Sequence, residues 1–250
     1  MTTAPLLVLC ALGPEVWALR GGDWRGAPGG SPVLVRTGVG RRRAGLTVRR
    51  LLGSAPGGYG AVVVAGFGAA LGPGVLPGDV VAADGVRDAE GHLYPVGSGP
   101  ELTRALKERG LTVHTGVHHT ADHVVRGIER RALHLQGALA VDMEAAAVLA
   151  ALREVRPALP AAVLRVVVDT PEHELLRPGT LPAGVRAWRT LRAAVPALVD
   201  WYRQERAPGS DVPDHPGSDA LNHPGPEAMN HPGSDALNHP TSATLPQEAS

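Results

Sequence analysis

The sequence predicts an α/β protein. Short runs rich in Val, Leu and Ala, of strand length, alternate with longer segments of helical periodicity, and several of the runs end on or next to a carboxylate. The stretch 137–169, GALAVDMEAAAVLAALREVRPALPAAVLRVVVD, condenses the argument. It reads as a short apolar strand, an Ala-rich helix opening on Asp-Met-Glu, and a second strand ending on Asp169. Val148, Leu152 and Val155 fall on one helical face, and 163–168 is the β-branched run of a buried strand. In open α/β sheets ligands bind beyond the carboxyl ends of the strands, so Asp142, Met143, Glu144 and Asp169 are expected to line one crevice.

The remaining elements follow in order. Residues 6–11 form an apolar strand, and a Gly-Pro turn then places Glu15 just past its end, a third carboxylate at a strand terminus. Residues 33–36 form a short strand leading into TGVGRRRAG, 37–45, with a helix expected through 46–52. The two glycines directly after the strand, Gly38 and Gly40, permit a tight turn or close approach of backbone to a ligand. Arg41, Arg42 and Arg43 read first as an exposed helix start, with phosphate contact as the alternative.

Residues 61–65, AVVVA, form a buried strand running into GFGAALGPG, 66–74, where Gly66 and Phe67 are expected to meet a ligand at a strand end. A further strand covers 80–83, and a helix over 101–110 ends on glycine. Residues 111–125 read as a strand carrying His114, His118, His119 and His123, with a turn at 120–122 lining the crevice. The histidine spacing lacks the frame of a zinc site, and no metal is expected. Residues 172–182 form a Pro-broken loop able to cover the site. A single helix is expected over 185–203, kinked at Pro196.

The chain has 250 residues, and its 44% hydrophobic content is carried by Ala, Val and Leu, with one Phe and three Tyr, so the core is aliphatic. From residue 207 onward there are six acids and no Lys or Arg. That leaves 24 basic against 18 acidic residues in 1–206, a balance of +6, which suits an anionic ligand as well as solubility. No basic patch interleaved with aromatics points to nucleic acid. Cys10 is alone, no signal-peptide or membrane-spanning pattern is present, and a reducing, cytoplasmic setting is expected.

The chain divides into a domain at 1–206 and a tail at 207–250. In the tail HPGSDALN, HPGPEAMN and HPGSDALN repeat every eight residues from His215, a composition that predicts disorder. Deleting 207–250 is therefore expected to leave activity and melting temperature nearly unchanged in a side-by-side assay; a large loss of either moves the domain boundary.

Four segments, LCALGPEV, TGVGRRRAG, VVVAGFGAALGPGVLPGDVV, and AVDMEAAAV followed by RVVVD, together resemble the purine nucleoside phosphorylase and nucleosidase superfamily. The resemblance covers roughly residues 5 to 205 and is closest to the 5'-methylthioadenosine/S-adenosylhomocysteine nucleosidases. It implies a three-layer α/β/α domain around a mixed, partly barrel-like sheet, assembled as a homodimer or larger homo-oligomer. It implies cofactor-free hydrolysis of the N-glycosidic bond of a 5'-modified purine nucleoside, releasing adenine. Asp169 matches the acid beside purine N7, and a raised pKa would suit that role. Glu15 matches the carboxylate that activates water, Glu144 the group holding the ribose hydroxyls, and Met143 the side chain under the sugar. His123 and Val124 match the segment that meets the base.

The chain departs from the family pattern at two places. Phe67 stands where nucleosidases carry a hydroxyl in T-G-S-A-G-G, and Val124 replaces an aromatic residue. A different 5' substituent is therefore expected, as in the hopanoid-associated nucleosidases, with a lipid-linked substrate, or in futalosine hydrolase. The alternatives are a phosphorylase using Arg41–Arg43 and a non-catalytic nucleoside-binding protein.

Overall fold

The computed structural model describes residues 4–54, 58–97, 99–171 and 180–207, the side chains of 180 and 181 excepted. The cover loop expected at 172–182 falls largely outside these residues, as does the repeat tail. In chain order the elements are β1 (Leu6–Cys10), α1 (Gly13–Arg20), β2 (Val33–Arg36), α2 (Arg41–Ser54), β3 (Ala61–Ala70), β4 (Val80–Arg87), β5 (Leu93–Pro95) and α3 (Gly99–Glu108). They continue with β6 (Val113–Thr120), α4 (Gly127–Leu135), β7 (Ala138–Asp142), α5 (Ala145–Val155), β8 (Ala161–Asp169), α6 (Thr180–Ala193) and α7 (Val195–Glu205).

One mixed sheet organises the domain. β3 pairs with β8 in parallel, β8 with β4 antiparallel, β4 with β6 and β6 with β7 in parallel, and β7 returns to β3 antiparallel. These five strands close a ring, and β1, β2 and β5 extend it outward. The closing seam is short, with Ala69 opposite Val141 and Ala70 opposite Ala140.

Strand alternation builds the layers. On β3, Ala61, Val63 and Ala65 face a core shared with α1, α3, α6 and α7, whereas Val62 and Val64 face a second core shared with α2 and α5. The result is the expected three-layer α/β/α arrangement with a barrel at its centre. Ala70, Val81, Ala140 and Val167 fill part of the barrel interior.

Several boundaries differ from expectation. β3 does not stop at Ala65 but runs on through the glycines to Ala70. The reason is packing inside the ring: a Cβ on Gly68 would sit 3.0 Å from Cβ of Arg165, and one on Gly66 would meet Arg165 Nη1 at 2.9 Å and Glu15 Oε1 at 2.4 Å. The glycines make room for a buried arginine. The helix after β2 begins at Arg41, so the basic cluster is the helix start it was read as, and the helix runs past the expected 46–52 to Ser54. The expected long C-terminal helix is two, divided at Ala194 before Pro196, whose missing N–H suits a first helical turn. The histidine strand ends at Thr120, and β5 and α4 carried too little hydrophobic pattern to be foreseen. No helix among the described residues is long and apolar enough to cross a membrane.

Candidate active site

At the carboxyl ends of β1, β3, β7 and β8 lies a cavity of about 210 Å³. Its walls are mainly apolar, from Leu12, Val39, Phe67, Val125 and Val168, and five of the expected polar or contact residues open onto it: Glu15, Asp142, Met143, Glu144 and Asp169. His123 and Val124 line it as well, near the surface, where Val124 is 61% exposed. Gly66 does not. It stands behind the wall, where its missing side chain accommodates Glu15 and Arg165. The turn at 120–122 is likewise outside the lining, because Thr120 is buried beneath Asp142.

Glu15 sits in the first turn of α1 and is buried. Two orphan amides of the helix start, Ala11 N–H and Leu12 N–H, donate to Oε2 at 2.8 and 2.7 Å, and Phe67 N–H donates to Oε1 at 2.6 Å. An ionised carboxylate offers about four lone-pair sites, so three are filled by backbone and one remains. Burial raises its pKa above the usual glutamate value, against the opposing pull of Arg165 and these amides.

Asp142 and Glu144 share the cation Arg165 but are occupied very differently. Arg165, on β8, is 1% exposed, lies behind the cavity lining, and donates through Nε and Nη2 to Asp142 Oδ2 at 2.8 and 2.6 Å. Asp142 Oδ1 accepts from Thr120 Oγ1 at 2.6 Å and, more distantly, from the amides of Glu144 and Ala145 at 3.3 Å. Its lone pairs are taken up in holding the start of α5. Burial would raise its pKa, but Arg165, Thr120 and His118 together bring it below the usual aspartate range.

Glu144 accepts one amide, Gly40 N–H at 2.9 Å on Oε1, and its Oε2 stands 4.0 Å from Arg165. Gly40 has φ +100°, in the left-handed region that favours glycine, which lets the TGVG turn bend its amide towards Glu144. Burial raises the Glu144 pKa, with Arg165 opposing and Asp142 adding to the shift. Acceptor sites on Glu144 thus stay open to the cavity.

Asp169 ends β8. Its Oδ2 accepts from Arg130 Nη2 at 2.8 Å, both side chains being buried, and its Oδ1 has no hydrogen-bond partner among the described residues. Arg130 comes from α4, which begins at Gly127 with φ +51°, and it is the buried residue of that helix. Neither arginine was picked out as a site residue from the sequence. Arg165 was visible as the first residue of the R-x-x-x-D segment, but its contact with Asp142 spans 23 positions; Arg130 had no local signal at all.

The histidines of residues 111–125 scatter. His114 pairs with Asp79 at 2.9 Å, and His123 pairs with Asp122 and Glu129 at 2.6 and 2.9 Å. His118 is buried, which pushes its pKa down to about 4. Among the described residues no group of three or more His, Cys, Asp or Glu is placed to hold a metal. The basic cluster is also elsewhere: Arg41 pairs with Glu90 at 2.7 Å on the surface, and none of Arg41, Arg42 and Arg43 lines the cavity.

A closed mixed barrel with an apolar hollow at its strand ends, edged by carboxylates of unequal occupancy, defines a small-molecule site with polar anchors. The chain belongs to the phosphorylase superfamily, whose family model matches residues 17–180. Among solved structures it is similar to a futalosine hydrolase mutant of Helicobacter pylori, with 16% identity over 79% of this chain and 99% of that one and a TM-score of 0.64. It is also similar to the 5'-methylthioadenosine/S-adenosylhomocysteine nucleosidase of Neisseria meningitidis in complex with methylthio-immucillin-A, with 19% identity, coverage of 80% and 98%, and a TM-score of 0.62. A third, the corresponding nucleosidase of S. pneumoniae with a transition-state inhibitor, has 23% identity, coverage of 78% and 99%, and a TM-score of 0.59. At these identities the likeness is one of fold. No curated protein matches the chain by sequence.

Proposed function

We propose that this protein hydrolyses the N-glycosidic bond of a 5'-modified purine nucleoside. The observation that carries the reading is the graded occupancy of the carboxylates around one hollow: Asp142 filled, Glu15 with one acceptor site left, Glu144 accepting a single amide, and Asp169 with one buried oxygen that has no partner among the described residues. Breaking the bond from C1' to the purine places positive charge on the ribose and negative charge on the base. Glu144 accepts from the ribose hydroxyls, with Met143 under the sugar. Glu15, fixed in one orientation by three amides, uses its remaining site to hold water against C1' and receive a proton from it. Asp169 faces the departing base and protonates it. A positioned proton donor or acceptor contributes typically ~10²–10⁴-fold.

Residues 1–206 carry this activity, and no cofactor enters the scheme. The cavity's apolar walls support a substrate with an apolar 5' group, and Ile128 and Leu135, 88% and 77% exposed on α4, support the homo-oligomer the resemblance implies. The surface position of Arg41–Arg43 weighs against phosphorolysis. The test is mass spectrometry of products from a panel of purine nucleosides differing at the 5' position, lipid-linked ones included, with and without phosphate. Free base with a free sugar in both conditions is expected; a sugar phosphate formed only with phosphate would establish the phosphorylase alternative, and binding without cleavage across the panel the non-catalytic one.

A pH dependence follows from Glu15. Because the water-activating form is the carboxylate and burial raises its pKa, kcat/KM is expected to fall as pH drops through a midpoint above that of an ordinary glutamate. Glu15→Gln should lower the rate ~10²-fold or more and abolish that acid limb. A variant of near-normal rate, or one retaining the limb, assigns water activation to another group.

A further inference from the structure

Resting on the reading of this cavity as a purine nucleoside site, we propose that the Arg130–Asp169 pair selects a 6-oxopurine leaving base, not the adenine that the resemblance leads one to expect. A carboxyl group that by itself reads the N7 edge of a 6-aminopurine does two things at once: it gives a proton to N7 from one oxygen and accepts the N6 amine with the other. Here the second oxygen is already engaged by a cation: Asp169 Oδ2 accepts from Arg130 Nη2 at 2.8 Å, with the two side chains 10% and 4% exposed, so an amine would have to share that oxygen with Arg130, and Oδ1 is the oxygen without a partner.

The neighbouring groups are donors. Nε and Nη1 of Arg130, like Oδ1 of Asp169, are buried without a hydrogen-bond partner among the described residues, and both residues line the cavity. A buried polar group without a partner is costly, and a ligand that supplies one recovers the loss. With Asp169 Oδ1 set against N7, position 6 of the purine comes to the guanidinium. An exocyclic oxygen there accepts from Arg130, the pairing that makes arginine the usual reader of the O6 and N7 edge of guanine, whereas an amine sets donor against donor.

The same arrangement serves the bond cleavage. The pair of electrons in the C1'–N9 bond leaves with the base, N7 takes the proton of Asp169, and part of the residual charge falls on O6 beside a permanent cation. The oxygen of water bonds to C1' and its proton passes to Glu15, and exchange with solvent returns Glu15 and Asp169 to their starting states. Arg130 transfers no proton; it is a specificity-determining contact to the leaving group.

The experiment compares nucleosides matched at the 5' position, inosine with adenosine and 5'-methylthioinosine with 5'-methylthioadenosine, in the wild-type protein and in Arg130→Gln and Arg130→Lys. Wild type is expected to favour the 6-oxo member of each pair by ~10-fold or more in kcat/KM, the worth of one well-formed directional contact to a base edge. Arg130→Gln, whose carboxamide can also accept from an amine, should erase or invert the ratio; Arg130→Lys, with charge but no fork, should keep part of it. Equal or faster cleavage of the 6-amino members, or an unchanged ratio in Arg130→Gln, overturns the proposal while leaving nucleosidase activity standing.

If no member is cleaved, the wider 5' panel decides the nucleosidase reading, and equilibrium binding of hypoxanthine and adenine decides the selectivity. Tighter hypoxanthine binding that is lost in Arg130→Gln supports it, and any other order overturns it. The ratio between two bases, unlike overall rate, is not moved by loss of folded protein.

Discussion

Asp169→Asn is expected to lower kcat by ~10²–10⁴-fold, the range a positioned proton-transferring group contributes, while nucleoside affinity falls by no more than about tenfold. The asymmetry comes from the way the residue is held. An asparagine carbonyl can still accept from Arg130 Nη2, so the anchor that orients position 169 survives, and so does the fold around it. What is lost is the transferable proton on the unpartnered oxygen, Oδ1, since a carboxamide can donate to N7 but cannot give its hydrogen up. Single-turnover rates combined with an equilibrium titration separate the two quantities. A variant that turns over at near the wild-type rate removes Asp169 from the leaving-group role.

Arg165→Met should produce the largest loss of stability of any single substitution at the site. The guanidinium is fully enclosed, donates twice to Asp142, and stands near Glu144 and Glu15. Removing one partner of such a pair leaves buried charge uncompensated, at a cost of about 3–5 kcal/mol. At roughly 2–4 °C per kcal/mol for a domain of this size, thermal denaturation should show a drop of about 6–20 °C.

The pH dependence of that drop identifies its cause. In the wild type Asp142 lies below the usual aspartate range, so its contribution is present above the unfolded pKa and is lost as pH falls through the folded one. Without Arg165 the buried carboxylates shift upward, and their stability is present below the unfolded pKa and lost as pH rises. The gap between variant and wild type should therefore narrow towards pH 4 and widen towards neutrality. A gap independent of pH would mean that lost packing inside the barrel, not charge, accounts for the defect.

Strands and their terminal carboxylates were legible in the sequence because they leave local marks. Runs such as AVVVA and VLRVVVD have the length and branching of buried strands, and the acid that closes VLRVVVD marks where the chain leaves the sheet. The convergence of Glu15, Glu144 and Asp169 could be anticipated on that ground together with the family resemblance. The roles of the glycines could not. GFG looks like a loop because glycine is poor at packing within a strand, and nothing nearby in the chain says that Arg165, about a hundred positions later, needs the volume. The division of labour among the acids was equally hidden: Asp142 and Glu144 are two residues apart in one motif, yet one is closed off by Thr120 and Arg165 and the other is turned outward by the amide of Gly40. Arg130 is the extreme case, a charged side chain on an inward helix face where local pattern predicts an apolar one.

The brief seam between β3 and β7 has a thermodynamic consequence. Ala69 and Val141, which face each other across it, both form part of the hollow's wall. A molecule resting against both edges acts as a clasp on the ring, so occupancy and closure are coupled: whatever binds the closed ring better than the parted one stabilises it by mass action. Amide protons of these two strand ends should accordingly exchange more slowly once the hollow is filled, and by more than those of the long β3–β8 ladder on the opposite side of β3.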